Sequence, residues 1–304
     1  MSEMEHDIVV IGTGITGLTA ARQLLRDGCG VATVEQGMFG GLVININELD
    51  GNVGGSGADL ASDLMMEVGE LGAASLSEAA TAVEQRNGRW HVALADGSSC
   101  LAGAVIVASG ARLKRLGIPG EAEFEYRGVG QCADCDGPLY KGQDVMVVGG
   151  GDSALQEALV LAQYCRQVHL VDREATLRGR RHLVDAVLAR DNILVRHAAE
   201  PREIRGSDGV ESVRVEGLAG EGGMDIACSG FFAYVGLEPN SAFLPAFVRR
   251  DAAGFVVTDD SLRAAPGGLY AAGAVRSGYR GLLEHAMEEG TNAAKCAVRE
   301  MVSR

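Results

Sequence analysis

The chain states one structural unit twice, and that repetition limits what it can fold into. Asp7-Ile8-Val9-Val10-Ile11 reads as a buried parallel strand that enters the turn Gly12-Thr13-Gly14-Ile15-Thr16-Gly17. A helix over Leu18 to Leu25 follows, closed by Gly28 and Gly30, and the next strand, Val31 to Val34, ends at Glu35. Further along, Asp144 to Val148 enters Gly149-Gly150-Gly151-Asp152-Ser153-Ala154, a helix spans Leu155 to Tyr164, and Val168 to Val171 delivers Asp172. The acid follows the first glycine at the same interval in both copies, 12 to 35 and 149 to 172. Glycines let the backbone approach a pyrophosphate at a helix N-terminus, and an acid at this distance accepts hydrogen bonds from a ribose diol. Two copies predict an α/β chain with two Rossmann-like folds and two different dinucleotides.

Composition bounds the rest. The chain has 304 residues, 47% apolar and 22% charged, which suits one large or two ordinary globular domains. Its 43 glycines against 6 prolines fit tight βα turns better than disordered linkers. No apolar run of about eighteen residues occurs, and Met1-Ser2-Glu3-Met4-Glu5 lacks the basic region and apolar stretch of a signal peptide. A soluble, cytoplasmic protein with no membrane partner is expected. The net charge of -14 disfavours nucleic acid and anionic lipid, although Arg178, Arg180 and Arg181 form a local cluster able to hold an anion.

Other segments serve the repeated unit. A glycine-rich stretch from Gly40-Gly41 to Gly57 precedes a core-covering helix over Asp59 to Leu71. Trp90 to Leu94 and Ser99 to Ala102 flank Asp96-Gly97 as a hairpin, with Trp90 and His91 in packing and surface roles. Ala104 to Val107 gives a buried strand ending in Ala108-Ser109-Gly110, small residues that suit close backbone approach to a cofactor. The chain is expected to cross between domains at Arg112 to Leu116. Gly267 to Ala274 reads as a strand ending in a tight turn at Gly273-Ala274. Tyr279-Arg280-Gly281 then leads into a helix from Leu282 to Ala297, whose N-terminus can aim amide dipoles at an electron-rich ring. His285 reads as a packing or polar-face residue rather than a base.

Of seven cysteines, only Cys132 and Cys135, in Gln131-Cys132-Ala133-Asp134-Cys135-Asp136-Gly137, lie close enough in sequence to act on each other through a short turn. Cys29, Cys100, Cys165, Cys228 and Cys296 are scattered and suggest no disulfide framework. A zinc site built on the pair would need two more ligands, and no neighbouring Cys or His supplies them, so no metal is expected. Redox chemistry is the favoured reading, with zinc and an inert buried pair as alternatives.

These motifs, in this order, resemble the low-molecular-weight thioredoxin reductases among the two-dinucleotide flavoproteins. The resemblance rests on Gly12 to Gly17, Cys132 to Gly137, Gly149 to Ala158 and Tyr279-Arg280, and it covers nearly the whole chain. It implies an α/β fold of two Rossmann-like dinucleotide-binding domains of the three-layer ββα type, the second inserted into the first. Residues 1–113 and 241–304 would bind FAD, and residues 114–240 would bind NADH or NADPH and carry the cysteine pair. Cys135 would face the flavin, Cys132 would attack the partner disulfide, and Asp136 would give and take protons. Gly12, Gly14, Ile15, Thr16, Gly17, Glu35, Gln36, Gly41, Leu42, Asn47, Ala108, Ser109, Gly110, Gly273, Ala274, Arg280, Gly281 and Leu282 would lie along the flavin nucleotide. Gly149, Gly151, Asp152, Ser153, Asp172, Arg173 and Arg178 would lie along the nicotinamide nucleotide. The family also implies a homodimer, a rotating inserted domain and a thioredoxin-like or small disulfide substrate.

The pattern is broken in places. Asp172-Arg173-Glu174 stands where the family usually holds the 2′-phosphate of NADPH with arginines, and two carboxylates there favour the free diol of NADH. Ala274, Gly281 and Leu42 replace an aspartate and two glutamines usual near the flavin, each with the loss of a polar contact. The expected function is therefore a disulfide reductase. The alternatives are a dithiol oxidase that passes electrons to oxygen and a redox-silent regulator on the same fold.

Overall fold

A computed structural model of the chain describes residues 3–46, 49, 55–219 and 222–303. The chain divides into two compact units, one of residues 1–112 with 238–304 and one of residues 113–237.

In the first unit a parallel sheet runs in the order Leu269–Ala271, Ser99–Val107, Glu3–Ile11, Val31–Val34, Ala74–Leu76. Strand Glu3–Ile11 explains the layering, because its residues alternate between two cores as a strand's period of two requires. Ile8 and Val10 face one core with Leu18, Leu24, Leu64, Ala293 and Ala297, residues of the helices Ile15–Arg26, Gly57–Glu70 and Leu283–Val302. Val9 and Ile11 face the other, with Val83, Trp90 and Val92 of an antiparallel meander, Ala80–Arg86 and Arg89–Leu94. The meander joins the sheet where Arg89–Leu94 pairs with the first half of Ser99–Val107, as in Trp90 opposite Ala102. The hairpin read from the sequence is present, and Ala80–Arg86 is a third strand that its polar composition concealed. Trp90 is fully buried and donates its indole N–H to the Gly267 carbonyl. The C-terminal helix runs from Leu283 to Val302, longer than its expected end at Ala297.

The second unit repeats the layers. Its parallel sheet runs Ile193–Arg196, Gln167–Val171, Asp144–Val148, Gly230–Ala233, Val129–Gly130. Val145 and Val147 point to helices Asp152–Leu161 and Arg181–Leu188, through Leu155, Leu161 and Val187. Met146 and Val148 point to a three-stranded antiparallel sheet, Ala199–Gly206, Val210–Gly217 and Met224–Ala227, through Val213, Val215 and Ile226. Each unit is thus a helix layer, a parallel sheet and an antiparallel layer, the ββα arrangement that the sequence led us to expect.

Candidate active site

In the first unit, strand Glu3–Ile11 ends in a turn whose glycines have different tasks. Gly12 has φ +103°, and a Cβ there would lie 2.3 Å from the Ala108 carbonyl oxygen. A Cβ on Gly17 would lie 1.9 Å from the Gly12 carbonyl oxygen, so helix Ile15–Arg26 can approach the strand only as glycine. Gly14, at the N-cap, would meet nothing nearer than the Gly40 carbonyl at 3.8 Å. Two glycines therefore close the turn and the third leaves an open face at a helix N-terminus, which is what a pyrophosphate needs. Glu35 accepts from the Thr13 amide at 3.0 Å, the Thr13 hydroxyl at 3.3 Å and the Gly37 amide at 3.1 Å, so its carboxylate braces the turn.

The structure brings several further predicted residues to this turn. Ala108 packs under Gly12, Gly40 bridges Gly14 beside Gly41, and a Cβ on Gly273 would strike the Thr16 hydroxyl. Ser109 donates its hydroxyl to the Asn240 carbonyl at 2.6 Å, and Asn240 donates back to the Ser109 carbonyl at 2.9 Å, framing Gly110. Gln36, Leu42, Arg280, Gly281 and Leu282 are exposed, Ala274 is half-buried, and Asn47 lies outside the described residues. Sequence reasoning missed Glu289. Its carboxylate accepts the Gly273 amide at 2.7 Å and pairs with the Arg276 guanidinium, so the turn next to the apolar Ala274 is held by an acid from the C-terminal helix. The glycine turn suits the pyrophosphate of a dinucleotide such as FAD, and Ala274, Gly281 and Leu42 carry no polar side-chain group.

The second cradle follows the same plan with four of its six residues changed. A Cβ on Gly149 would lie 2.4 Å from the Tyr234 carbonyl oxygen, and one on Gly150 would lie 1.9 Å from Asp172 Oδ2. Gly151 has nothing within 4 Å and is the open N-cap of helix Asp152–Leu161. Ala154 stands where the first unit has Gly17. Asp172 is 2% exposed, and its Oδ2 has no hydrogen-bond partner, unlike the fully engaged Glu35. That oxygen is packed under Gly150, so Asp172 can meet a ribose hydroxyl only through its other oxygen, the one that faces Arg178. Asp172 lines a cavity of about 570 Å³ together with Gly149, Gly151, Ser153, Arg173 and Arg178. The arginines are already engaged with acids. Arg178 lies 3.6 Å from Asp172 and 3.9 Å from Glu174, and Arg173 lies 3.4 Å from Glu174. Asp152 holds the Arg180 amide at 2.6 Å and its guanidinium at 2.8 Å, which ties the loop after Asp172 to the glycine turn.

Cys132 and Cys135 are joined as a disulfide with Cα atoms 5.3 Å apart, across the short helix Ala133–Asp136. Cys132 is buried and Cys135 exposed, and the Cys135 amide donates to Cys132 Sγ at 3.1 Å. Burial pushes the Asp136 carboxyl above the ordinary aspartate range, so it keeps a proton to higher pH than a surface acid would. Gly130 makes room for it, since a Cβ there would lie 2.5 Å from Asp136 Oδ2. Two groups under this turn escaped the sequence reading, Glu157 and Tyr234. Glu157 accepts the Ala133 amide at 3.0 Å, and the Tyr234 hydroxyl donates to the Gln131 carbonyl at 3.1 Å. The other five cysteines are free, and burial pushes Cys100 and Cys165 up to about 11 and Cys228 up to about 12, outside the reactive range. Among the described residues no three His, Cys, Asp or Glu side chains gather as a metal site, and no helix is long and apolar enough to cross a membrane.

Two glycine cradles at helix N-termini and a Cys-x-x-Cys disulfide beside an acid raised by burial define a redox enzyme acting on disulfides. Residues 6–291 match the family model described as pyridine nucleotide-disulphide oxidoreductase. The thioredoxin reductase of Treponema pallidum (strain Nichols) is 32% identical over 299 residues, 97% of each chain. Among solved structures, the thioredoxin reductase of Lactococcus lactis matches with a TM-score of 0.92 at 30% identity, covering 98% of this chain and 100% of that one. That of T. acidophilum matches with a TM-score of 0.89 at 28% identity, covering 98% and 99%. The chain belongs to the pyridine nucleotide-disulphide oxidoreductase family. It is an oxidoreductase that uses a pyridine nucleotide and FAD to act on disulfides.

Proposed function

We propose that the enzyme carries two electrons from NADH, by way of FAD held at the Gly12–Gly17 turn, to the Cys132–Cys135 disulfide and on to a thioredoxin-like protein, and that it works as a homodimer. The observation that carries this reading is the bonded Cys132–Cys135 pair in the same unit as the Gly149–Gly151 cradle. When bound, FAD supplies the conversion of a nicotinamide hydride into electrons that a disulfide can accept. The protein's residues do the rest. Gly14 and Gly151 leave room for a pyrophosphate at each helix N-terminus, and Glu35 and Asp172 stand where a ribose hydroxyl would donate. Of the reduced pair, Cys132 attacks the partner disulfide and Cys135 resolves the mixed disulfide, while Asp136 supplies the proton to the departing sulfur. The relatives named thioredoxin reductase favour a thioredoxin as the substrate.

NADH is favoured over NADPH by the Asp172 carboxylate at the cavity wall and by the engagement of Arg173 and Arg178 with acids. A 2′-phosphate there would meet Asp172 and Glu174 before it met a free guanidinium. Anaerobic loss of flavin absorbance should be at least tenfold faster with NADH than with NADPH, about 1.4 kcal/mol in transition-state terms. Cys132→Ser should abolish disulfide turnover and leave flavin reduction intact. Faster bleaching by NADPH would overturn the donor assignment, and loss of both activities in Cys132→Ser would overturn the assigned roles.

A further inference from the structure

Glu157 sits half-buried on helix Asp152–Leu161, beside the buried residues Ala154, Ala158 and Leu161. A carboxylate on an apolar stripe is unusual, and its partners explain its position. It accepts the amide of Ala133, the fully buried residue that follows Cys132. Tyr234 lies beside it, its hydroxyl pushed up by burial first and then by the Glu157 charge, and that hydroxyl donates to the carbonyl of Gln131, the residue that precedes Cys132. The two groups thus hold the peptides on both sides of Cys132. Asp134 also lies between the two cysteines in sequence, and further titratable groups near the turn include Asp136 and Tyr140, both shifted upward by burial.

We propose that Glu157 is a positioning residue whose negative charge, held against the Ala133 amide, disfavours the Cys132 thiolate and makes the Cys132–Cys135 disulfide harder to reduce. The charge matters because reduction places electron density on sulfur next to that amide. In the oxidised turn Cys132 Sγ accepts the Cys135 amide. Glu157 occupies the Ala133 donor that would otherwise turn toward a thiolate, and it adds a like charge close by. A disulfide whose dithiol is disfavoured has a more negative potential and passes its electrons on more readily. The inference rests on the dithiol reading above.

The test uses the full-length holoenzyme. Its disulfide is equilibrated anaerobically with glutathione, so that protein disulfide and two glutathione thiols give protein dithiol and glutathione disulfide. The fraction reduced is read by alkylation and mass shift. Glu157→Gln keeps an acceptor for the Ala133 amide and loses the charge. Glu157→Asp keeps the charge and shortens the arm. We expect Glu157→Gln to shift the equilibrium toward dithiol by about tenfold, which is about 30 mV for this two-electron couple. The pH at which Cys132 is half-maximally alkylated should fall by about one unit. Glu157→Asp should stay within about threefold of the parent. Equal values for Glu157→Gln and the parent, or a larger shift in Glu157→Asp, would overturn the proposal in favour of a merely structural role. If Glu157→Gln does not fold, Glu157→Asp and Tyr234→Phe decide, because only Tyr234→Phe removes the hydroxyl that steadies the charge and only it should change the alkylation profile. If the parent pair does not join and part reversibly in glutathione, the dithiol reading itself fails, and the two failures are distinguishable.

Discussion

At the scale of single residues, environment separates groups of the same chemistry. Glu35 and Asp172 end equivalent strands, yet Glu35 is engaged by two amides and a hydroxyl while one oxygen of Asp172 is buried without a donor. Asp136 differs again, because burial alone raises its carboxyl. The folded protein then binds a proton that the unfolded chain has already released, so stability falls as pH rises through the folded value. Below the ordinary aspartate pKa of about 3.9 the side chain is neutral in both states and the effect vanishes. Asp136→Asn is neutral at every pH. We expect the variant's urea midpoint to gain on the parent's as pH rises from about 3 to 7, with most of the gain above the ordinary aspartate value. A gap that stays constant across that range would show that Asp136 is not burdened by its burial.

At the scale of elements, the two glycine turns predict opposite outcomes for the same change. Gly17→Ala would place a methyl 1.9 Å from the Gly12 carbonyl, forcing helix Ile15–Arg26 away from its strand. Such overpacking costs about 1–3 kcal/mol, and we expect lowered thermal stability together with loss of flavin on gel filtration. Gly151 has φ −91° and ψ 176°, a conformation alanine accepts, and has nothing within 4 Å. Gly151→Ala should cost less than about 1 kcal/mol of stability but weaken nicotinamide nucleotide binding, because its methyl fills the open face. Calorimetry and nucleotide titration on the two variants check this, and an unstable Gly151→Ala protein with normal nucleotide affinity would refute it. The glycine turns and terminal acids were legible because the chemistry fixes their spacing. The antiparallel layers were less so. Ala80–Arg86 has one buried residue, Val83, between small half-buried alanines and the polar run Glu84-Gln85-Arg86, so no alternation of large apolar residues marks it as a strand. Glu157 was readable in principle, as an acid on the Ala154, Ala158, Leu161 stripe. Glu289 and Tyr234 were not, because their partners come from other elements that no local pattern links to them.

At the scale of the whole molecule, the chain holds two units of the same layered design, and each carries its own cradle. A ligand that binds one folded unit stabilises that unit by mass action, by about 2.7 kcal/mol when present at a hundred times its dissociation constant. Oxidised nicotinamide dinucleotide delivers no hydride, so its effect on the holoenzyme is binding alone. Hydrogen exchange should therefore slow at Gly149–Ala154, Asp172–Arg178 and Tyr234–Gly236 when it is added, and stay unchanged at Gly12–Gly17. Removing FAD should do the reverse, speeding exchange at Gly12–Gly17 and around Gly273 while leaving the Gly149 turn as it was. The contrast follows because the amides of each turn hydrogen-bond within their own unit, as in Gly12 to Val34 and Gly149 to Val171. Equal protection of both turns by the nicotinamide nucleotide would mean that the second cradle is not its particular site, and the assignment of one dinucleotide to each repeat would have to be given up.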